Sequence, residues 1–381
     1  MSPVRDGILL TGATGFLGGY LLRELLDRTQ AQVFCLARPS EKETAEARLM
    51  DNLVFLFGKD GVAAWPRERI TVLEGDLGSE LLGLPASAYR DISESVGAIF
   101  NAAAMLWHFG RKELFEQVNV QGVKRLLDLA RSGRPKALNH ISTLAVSGRR
   151  VDNPGNLFRE TDFHETMECP NAYVQTKYEA EKVFRPAIAA GENVRIFRPG
   201  FVMGDSQSGR FKKEITLDAQ YLHLRGHILM KVAPPLYADD YMDVTPVDYA
   251  AAAIAHIALA QDTADHVYHV CNPRPILKAE TWEIIRAYGY QARVIPAEAY
   301  MECILSQEES DEFLQGLQHV LIYLGDYEKS PAVFDCVNTL RALEGTDIRC
   351  PMADRPLLHR YLDYCVDIGF LPKPDRVDIR E

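Results

Sequence analysis

Residues 8–25 read ILLTGATGFLGGYLLREL: an apolar run, a glycine-spaced turn, then apolar residues at three- and four-residue intervals. That is the order of a strand, a tight loop and a helix. Gly12, Gly15 and Gly18 stand three apart. Glycine lets the chain turn sharply, admits a pyrophosphate close to the backbone N–H groups and allows the helix to pack on its strand, while the helix dipole favours the anion. Thr11, Gly12, Thr14, Gly15, Phe16, Leu17 and Gly18 are therefore expected to cradle a dinucleotide.

The same alternation continues downstream. Short β-branched runs recur at Val33 to Ala37, Ile70 to Leu73, Ala98 to Asn101, Ala137 to Ser142, Val194 to Arg198 and Val267 to Cys271. Amphipathic stretches such as VQGVKRLLDLARSG separate them, which predicts parallel strands with helical crossovers: an α/β, Rossmann-like, doubly wound sheet. Ligands of such sheets bind beyond the carboxyl ends of the strands. Residues 1–200, with 245–272 returning to them, are expected to form the dinucleotide-binding domain. Residues 201–244 and 273–381 are expected to form a smaller, mostly helical C-terminal lobe that binds substrate and a docking partner.

Composition narrows the function. The 381 residues are 47% apolar and 25% charged, enough for a sizeable core. A net charge of -11 argues against nucleic acid as a partner. Seven scattered cysteines without a CxxC pair read as buried thiols of a reducing cytoplasm, and no His/Cys/Asp/Glu cluster has metal-ligand spacing. Neither a signal peptide nor an apolar stretch of membrane-spanning length is expected.

The second strand ends FCLARPS, placing Arg38 where an NAD-binding chain usually carries an acid. A guanidinium suits the 2′-phosphate of NADPH, with Arg48 as a second donor. Asp76 and Leu77, after the third strand, are expected beside the adenine, and the small residues that follow Asn101, Ala102 and Ala103 among them, leave room for the cofactor to cross.

The stretch NAYVQTKYEAEKVF contains two tyrosine–lysine pairs, Tyr173 with Lys177 and Tyr178 with Lys182. On a helix the two tyrosines lie about 140° apart, so they cannot serve one site. Tyr173, Lys177, Ala180 and Phe184 share a stripe suited to packing on a sheet; Tyr178, Glu181, Lys182 and Arg185 are expected on a solvated face. Ser142 and Thr143 end the fifth strand, where a hydroxyl can hold a carbonyl oxygen while a tyrosine donates a proton and a lysine tunes that phenol. Asn119 is a candidate to support the lysine.

TGATGFLG, LEGDL, HISTLAVSG, the Thr143–Tyr173–Lys177 spacing and RIFRPGFVMG together resemble an extended short-chain dehydrogenase/reductase. STLAV, PNAYVQTKYEAE, DVTPVDYAA and GFLPKP narrow the resemblance to the thioester reductase domains that end nonribosomal peptide and polyketide synthases. The resemblance implies that Thr143, Tyr173 and Lys177 are catalytic, and that Pro199, Gly200 and Val202 line the nicotinamide loop. It implies NADPH-dependent reduction of an acyl or peptidyl thioester to an aldehyde, with the choice between stopping there and a second reduction to an alcohol left open, and with the substrate on the phosphopantetheine arm of a carrier protein. Arg149, Arg150, Arg210, Lys212 and Lys213 are candidates for a carrier-docking patch, and Met105 to Phe109 for the channel wall. An acyl-CoA reductase and a nucleotide-sugar epimerase or dehydratase are the competing readings.

Overall fold

The computed structural model describes residues 6–104, 112–148, 157–163, 172–233, 241–260, 265–305 and 333–374. Met105 to Phe109, Arg149, Arg150 and Cys169 lie outside these residues.

Seven parallel strands form one sheet: β1 (Gly7–Thr11), β2 (Val33–Ala37), β3 (Ile70–Glu74), β4 (Val96–Asn101), β5 (Ala137–Ile141), β6 (Val194–Pro199) and β7 (Val267–Val270). Their spatial order is β7-β6-β5-β4-β1-β2-β3. The chain winds outward from β1 through β2 to β3, then crosses back to β4 and winds the other way. This reversal opens a crevice between the ends of β1 and β4, where a ligand of a doubly wound sheet belongs.

Helices cover both faces. α1 (Phe16–Arg28) and α2 (Ala45–Ala63) pack on one face, α3 (Ala86–Ser95), α4 (Gly122–Arg131) and α5 (Ala172–Ala189) on the other. Because the inner strands are buried from both sides, they read as continuous apolar runs rather than alternations, while the edge strand β3 is only half-buried. The expected stripe on α5 is apolar for the same reason: Ala180 and Phe184 are fully buried against Leu138 of β5 and Ile196 of β6.

A second core gathers α6 (Ala219–Met230), α8 (Lys278–Ala287) and α11 (Arg355–Asp367). The chain returns to the sheet between the first two, through the alanine-rich α7 (Val247–Leu259), which packs with α1 in the first core. Two further helices, α9 (Ala297–Leu305) and α10 (Val337–Ala342), complete the set named here. The second core is helical but not purely so, since two-residue strands pair Tyr241–Met242 with Ile276–Leu277 and Arg293–Val294 with Val232–Ala233. The α10 region packs on the sheet's edge: Asn338 Nδ2 donates to the Val267 carbonyl at 3.1 Å, and Leu343 belongs to the first core.

The largest fully buried side chain is charged. Arg198, on β6, pairs with Glu181 of α5 at 2.7 Å, and the two are 1% and 0% exposed. The remaining groups are also satisfied. Arg198 donates to the Asp162 carbonyl at 3.1 Å and to His269 Nε2 at 3.2 Å, while Glu181 accepts the Ser142 hydroxyl at 2.5 Å. His269 Nδ1 lies 2.8 Å from the Asp335 carbonyl and donates to it. Burial, then the nearby Arg198 charge, pulls this imidazole down to about 3, so it is neutral and accepts from the guanidinium.

Half of the face of α5 expected to be solvated is therefore packed: Lys182 and Arg185 are exposed, but Tyr178 and Glu181 are buried. Tyr178 is 3% exposed, with its ring stacked on Phe163 at 5.2 Å, and Glu181 lies inside. Its polar composition resembled a surface because the partners that satisfy it come from distant strands and loops. Removing one partner strands the other charge in the interior, at a typical cost of ~3–5 kcal/mol. Arg198→Met is expected to lower stability by about that amount, read from the urea midpoint; a loss below about 1 kcal/mol would contradict this account.

Candidate active site

The loop after β1 closes by a hydrogen bond from Gly15 N to the Gly12 carbonyl at 2.9 Å. Gly12 has φ +79, and a Cβ there would come within 2.5 Å of Ala102. A Cβ on Gly18 would approach the Gly12 oxygen to 2.0 Å. These two positions admit no side chain. Gly15, the N-cap of α1, is exposed and offers no side-chain cap to the first turn. The first-turn N–H groups of α1 are thus available to an anion, so the loop fits a dinucleotide pyrophosphate.

The floor of the crevice is polar and tied together. Thr11 Oγ1 donates to Asn101 Oδ1 at 2.7 Å, and Ala103 N donates back to Thr11 Oγ1 at 3.3 Å. Asn101 Nδ2 donates to His140 Nδ1 at 3.0 Å. Burial, then the charge of Lys177, pushes His140 well below its ordinary range, so it is neutral. This chain links the end of β1 to the catalytic side of the sheet. His140 was missed in the sequence because it reads as one residue of an apolar strand.

Arg38 is exposed just after β2, and the Arg48 guanidinium donates to its backbone carbonyl. Asp76 Oδ1 accepts from Gly78 N at 2.9 Å, fixing the turn after β3, and Leu77 is buried beneath it.

Thr143, two residues past β5, caps the short helix Leu144–Ser147, accepting from Ala145 N at 3.2 Å. Its side chain lies near enough to the Tyr173 hydroxyl to oppose the upward push that burial gives that phenol. Lys177 Nζ, one turn further along α5 and 3% exposed, donates to the Ile141 carbonyl at 2.5 Å. Burial pulls this lysine down to about 8, and the Glu181 charge opposes the shift. Burial likewise pushes Tyr173 up to about 12, and the Thr143 side chain opposes it. Thr143, Tyr173 and Lys177 therefore converge.

Ser142 does not join them. Its hydroxyl turns inward to Glu181, and of the two adjacent hydroxyls only that of Thr143 acts on the tyrosine. Asn119 sits in a π-helical segment, Glu116–Gln121, and donates to Thr176 Oγ1 at 2.9 Å. Thr176 in turn donates to the Tyr173 carbonyl at 3.0 Å, so Asn119 braces the backbone between the tyrosine and the lysine.

Pro199, Gly200 and Val202 continue from β6 beside these groups. A Cβ on Gly200 would fall 1.7 Å from Asp243 Oδ2, which explains the glycine. Asp243 accepts from Phe201 N, from Asn272 N at 2.8 Å and from Thr245 Oγ1 at 2.9 Å. Burial raises it to about 6 despite these donors. The DVTPVDY segment was legible as a motif, but the place of its aspartate under Gly200 appears only once both loops are folded.

The candidate docking cations among the described residues have partners within the chain. Lys212 pairs with Asp218 at 2.7 Å, Lys213 pairs with Asp51, and Arg210 donates to the Phe55 and Leu56 carbonyls.

A doubly wound sheet with this glycine loop and a threonine–tyrosine–lysine cluster at its strand ends defines a nicotinamide-dependent oxidoreductase. The family model described as Male sterility protein, an NAD-binding domain, matches residues 10–254. The terminal R domain of the myxalamid polyketide–peptide synthase pathway superposes with a TM-score of 0.84 at 33% identity, covering 98% of this chain and 94% of that one. The nonribosomal peptide synthetase asaC of Aspergillus flavus is 30% identical over 90% of this chain, and the isonitrile lipopeptide synthase of Streptomyces coeruleorubidus 30% identical over 97%. The chain spans 34% and 25% of the lengths of those two proteins. It belongs to the Male sterility family, and within it to the reductase domains of nonribosomal peptide and polyketide synthases, extended short-chain dehydrogenase/reductases. No helix among the described residues is long and apolar enough to cross a membrane.

The titration of the cluster has a defined sign. As pH rises through about 8, Lys177 loses its charge while Tyr173, held near 12, stays protonated. We expect kcat/KM for nicotinamide-dependent reduction to fall with rising pH through a midpoint near 8. A profile flat from pH 6 to about 10 would contradict the assignment of Lys177.

Proposed function

We propose that the chain carries out NADPH-dependent reductive release of an acyl or peptidyl thioester, borne on the phosphopantetheine arm of a carrier protein, to an aldehyde, and in a second round to an alcohol. One observation carries the reading: Thr143, Tyr173 and buried Lys177 gather at the strand ends of a sheet whose glycine loop fits a dinucleotide.

Bound NADPH would supply the hydride. The chain's own residues handle the oxygen and the proton. Thr143 Oγ1 and the Tyr173 hydroxyl hold the thioester carbonyl oxygen, and Tyr173 donates its proton as negative charge develops there. The Lys177 ammonium stabilises the phenolate left behind, at short range inside a desolvated site. Collapse of the resulting hemithioacetal breaks the C–S bond, freeing the carrier thiol and the aldehyde. Each round consumes one hydride and one proton, so aldehyde requires two electrons and alcohol four.

Arg38, exposed just after β2 where an NAD-binding chain usually carries an acid, and Arg48, bonded to its backbone, support NADPH over NADH. The names of the relatives, synthetases and synthases that assemble peptides on carrier domains, support the carrier-borne substrate.

The test follows NADPH and NADH oxidation with an acyl-phosphopantetheine thioester, identifying the product. Aldehyde formation with a clear NADPH preference is expected, and Arg38→Ala should raise the NADPH KM by about ten- to a hundredfold while sparing NADH, as loss of a charge-assisted contact implies. Turnover of a nucleotide sugar with no oxidation on any thioester would overturn the proposal.

A further inference from the structure

A cavity of about 310 Å³ lies in the second core, bounded by α6, α8, α11 and the residues just after β6. Phe201 lines its near side and directly follows Gly200. β6 neighbours β5, and Ser142 N donates to the Phe197 carbonyl at 2.6 Å, so Thr143 and the Pro199–Gly200 turn emerge side by side from the same sheet edge. Phe201 thus connects the strand end that neighbours Thr143 to the wall of this cavity.

The lining selects by chemistry. Leu224, Met242, Trp282, Ile285 and Leu362 present hydrocarbon and aromatic surface. The carboxylate that reaches the cavity, Asp243, is occupied: its two oxygens accept from two backbone N–H groups and from Thr245, so it is not free to bind an ammonium group. His223 also borders the cavity and is neutral, pushed well below its ordinary range by burial and by the charges of His227 and Lys278. Lys278 borders it as well, which makes a chain ending in a carboxylate the competing occupant. The volume is about twice that of an engineered 150 Å³ cavity that takes benzene, room for roughly eight to twelve carbon atoms.

We infer that this cavity is the specificity pocket for the acyl group, and that it takes an uncharged, apolar chain of roughly eight to twelve carbons. The inference rests on the thioester reading above and adds the substrate class to it.

The test uses acyl-phosphopantetheine thioesters from acetyl to hexadecanoyl, plus a decanoyl analogue ending in a carboxylate, with the intact chain and NADPH. kcat/KM should rise about three- to fourfold per methylene, as burial of a CH₂ implies, up to about C8–C12 and then stop rising. Leu224→Trp, which fills part of the cavity, should shift the optimum to shorter chains; an unchanged optimum would count against the pocket. Binding is read separately, without turnover, from quenching of tryptophan fluorescence by octanamide, lost in Trp282→Phe. Oxidation at a rate independent of chain length, or faster with the carboxylate-ended chain, would overturn the pocket alone. No oxidation with any thioester, acetyl included, would overturn the thioester reading and the pocket with it.

Discussion

Three buried charges lie in series behind the site: the Lys177 ammonium, the Glu181 carboxylate one turn along α5, and the Arg198 guanidinium on β6. Each depends on the next. Glu181 opposes the desolvation that pulls Lys177 down, and Arg198 satisfies the far side of Glu181 while Ser142 occupies the near one. The series couples α5 to the ends of β5 and β6, and so sets the axial position of the helix against Thr143. Hydrocarbon contacts such as Phe184 against β5 hold the helix on the sheet, but they are non-directional and would tolerate a small slide. A bidentate ion pair would not.

The same logic explains where the chemistry sits. A phenol near 12 is a weak acid, and a buried lysine near 8 is a poorly held cation. Neither is suited to the task alone. Set one helical turn apart, with the threonine hydroxyl near the phenol, they provide a proton donor whose conjugate base has a positive charge waiting for it. The interior that makes both groups unfavourable by themselves also strengthens their interaction.

Much of the fold was legible because strands buried on both faces announce themselves as β-branched runs, and all seven of the runs read from the sequence became neighbours in one parallel sheet. Gly12 and Gly18 were legible for a related reason, since a close approach of backbone to backbone leaves no room for a side chain. What local pattern could not show were long-range polar partners. Glu181 and Tyr178 looked like a wet face because Arg198, Phe158 and Phe163 lie far off in sequence or on another element. Ser142 and Thr143 were equivalent as letters, and only the inward turn of one hydroxyl separates them. The acids that pair with Lys212 and Lys213, Asp218 and Asp51, were likewise not legible as their partners.

The central claim is that Tyr173, flanked by Thr143 and tuned by Lys177, gives the proton that reduction requires. Tyr173→Phe removes one oxygen and leaves the ring and the glycine loop in place. Single-turnover reduction of an acyl-phosphopantetheine thioester, measured alongside NADPH affinity, tests it most directly. The account predicts a rate lower by at least about a hundredfold, the scale of general acid catalysis, with the NADPH Kd changed less than about threefold. A rate within about threefold of the unmodified chain would remove Tyr173 from the chemistry.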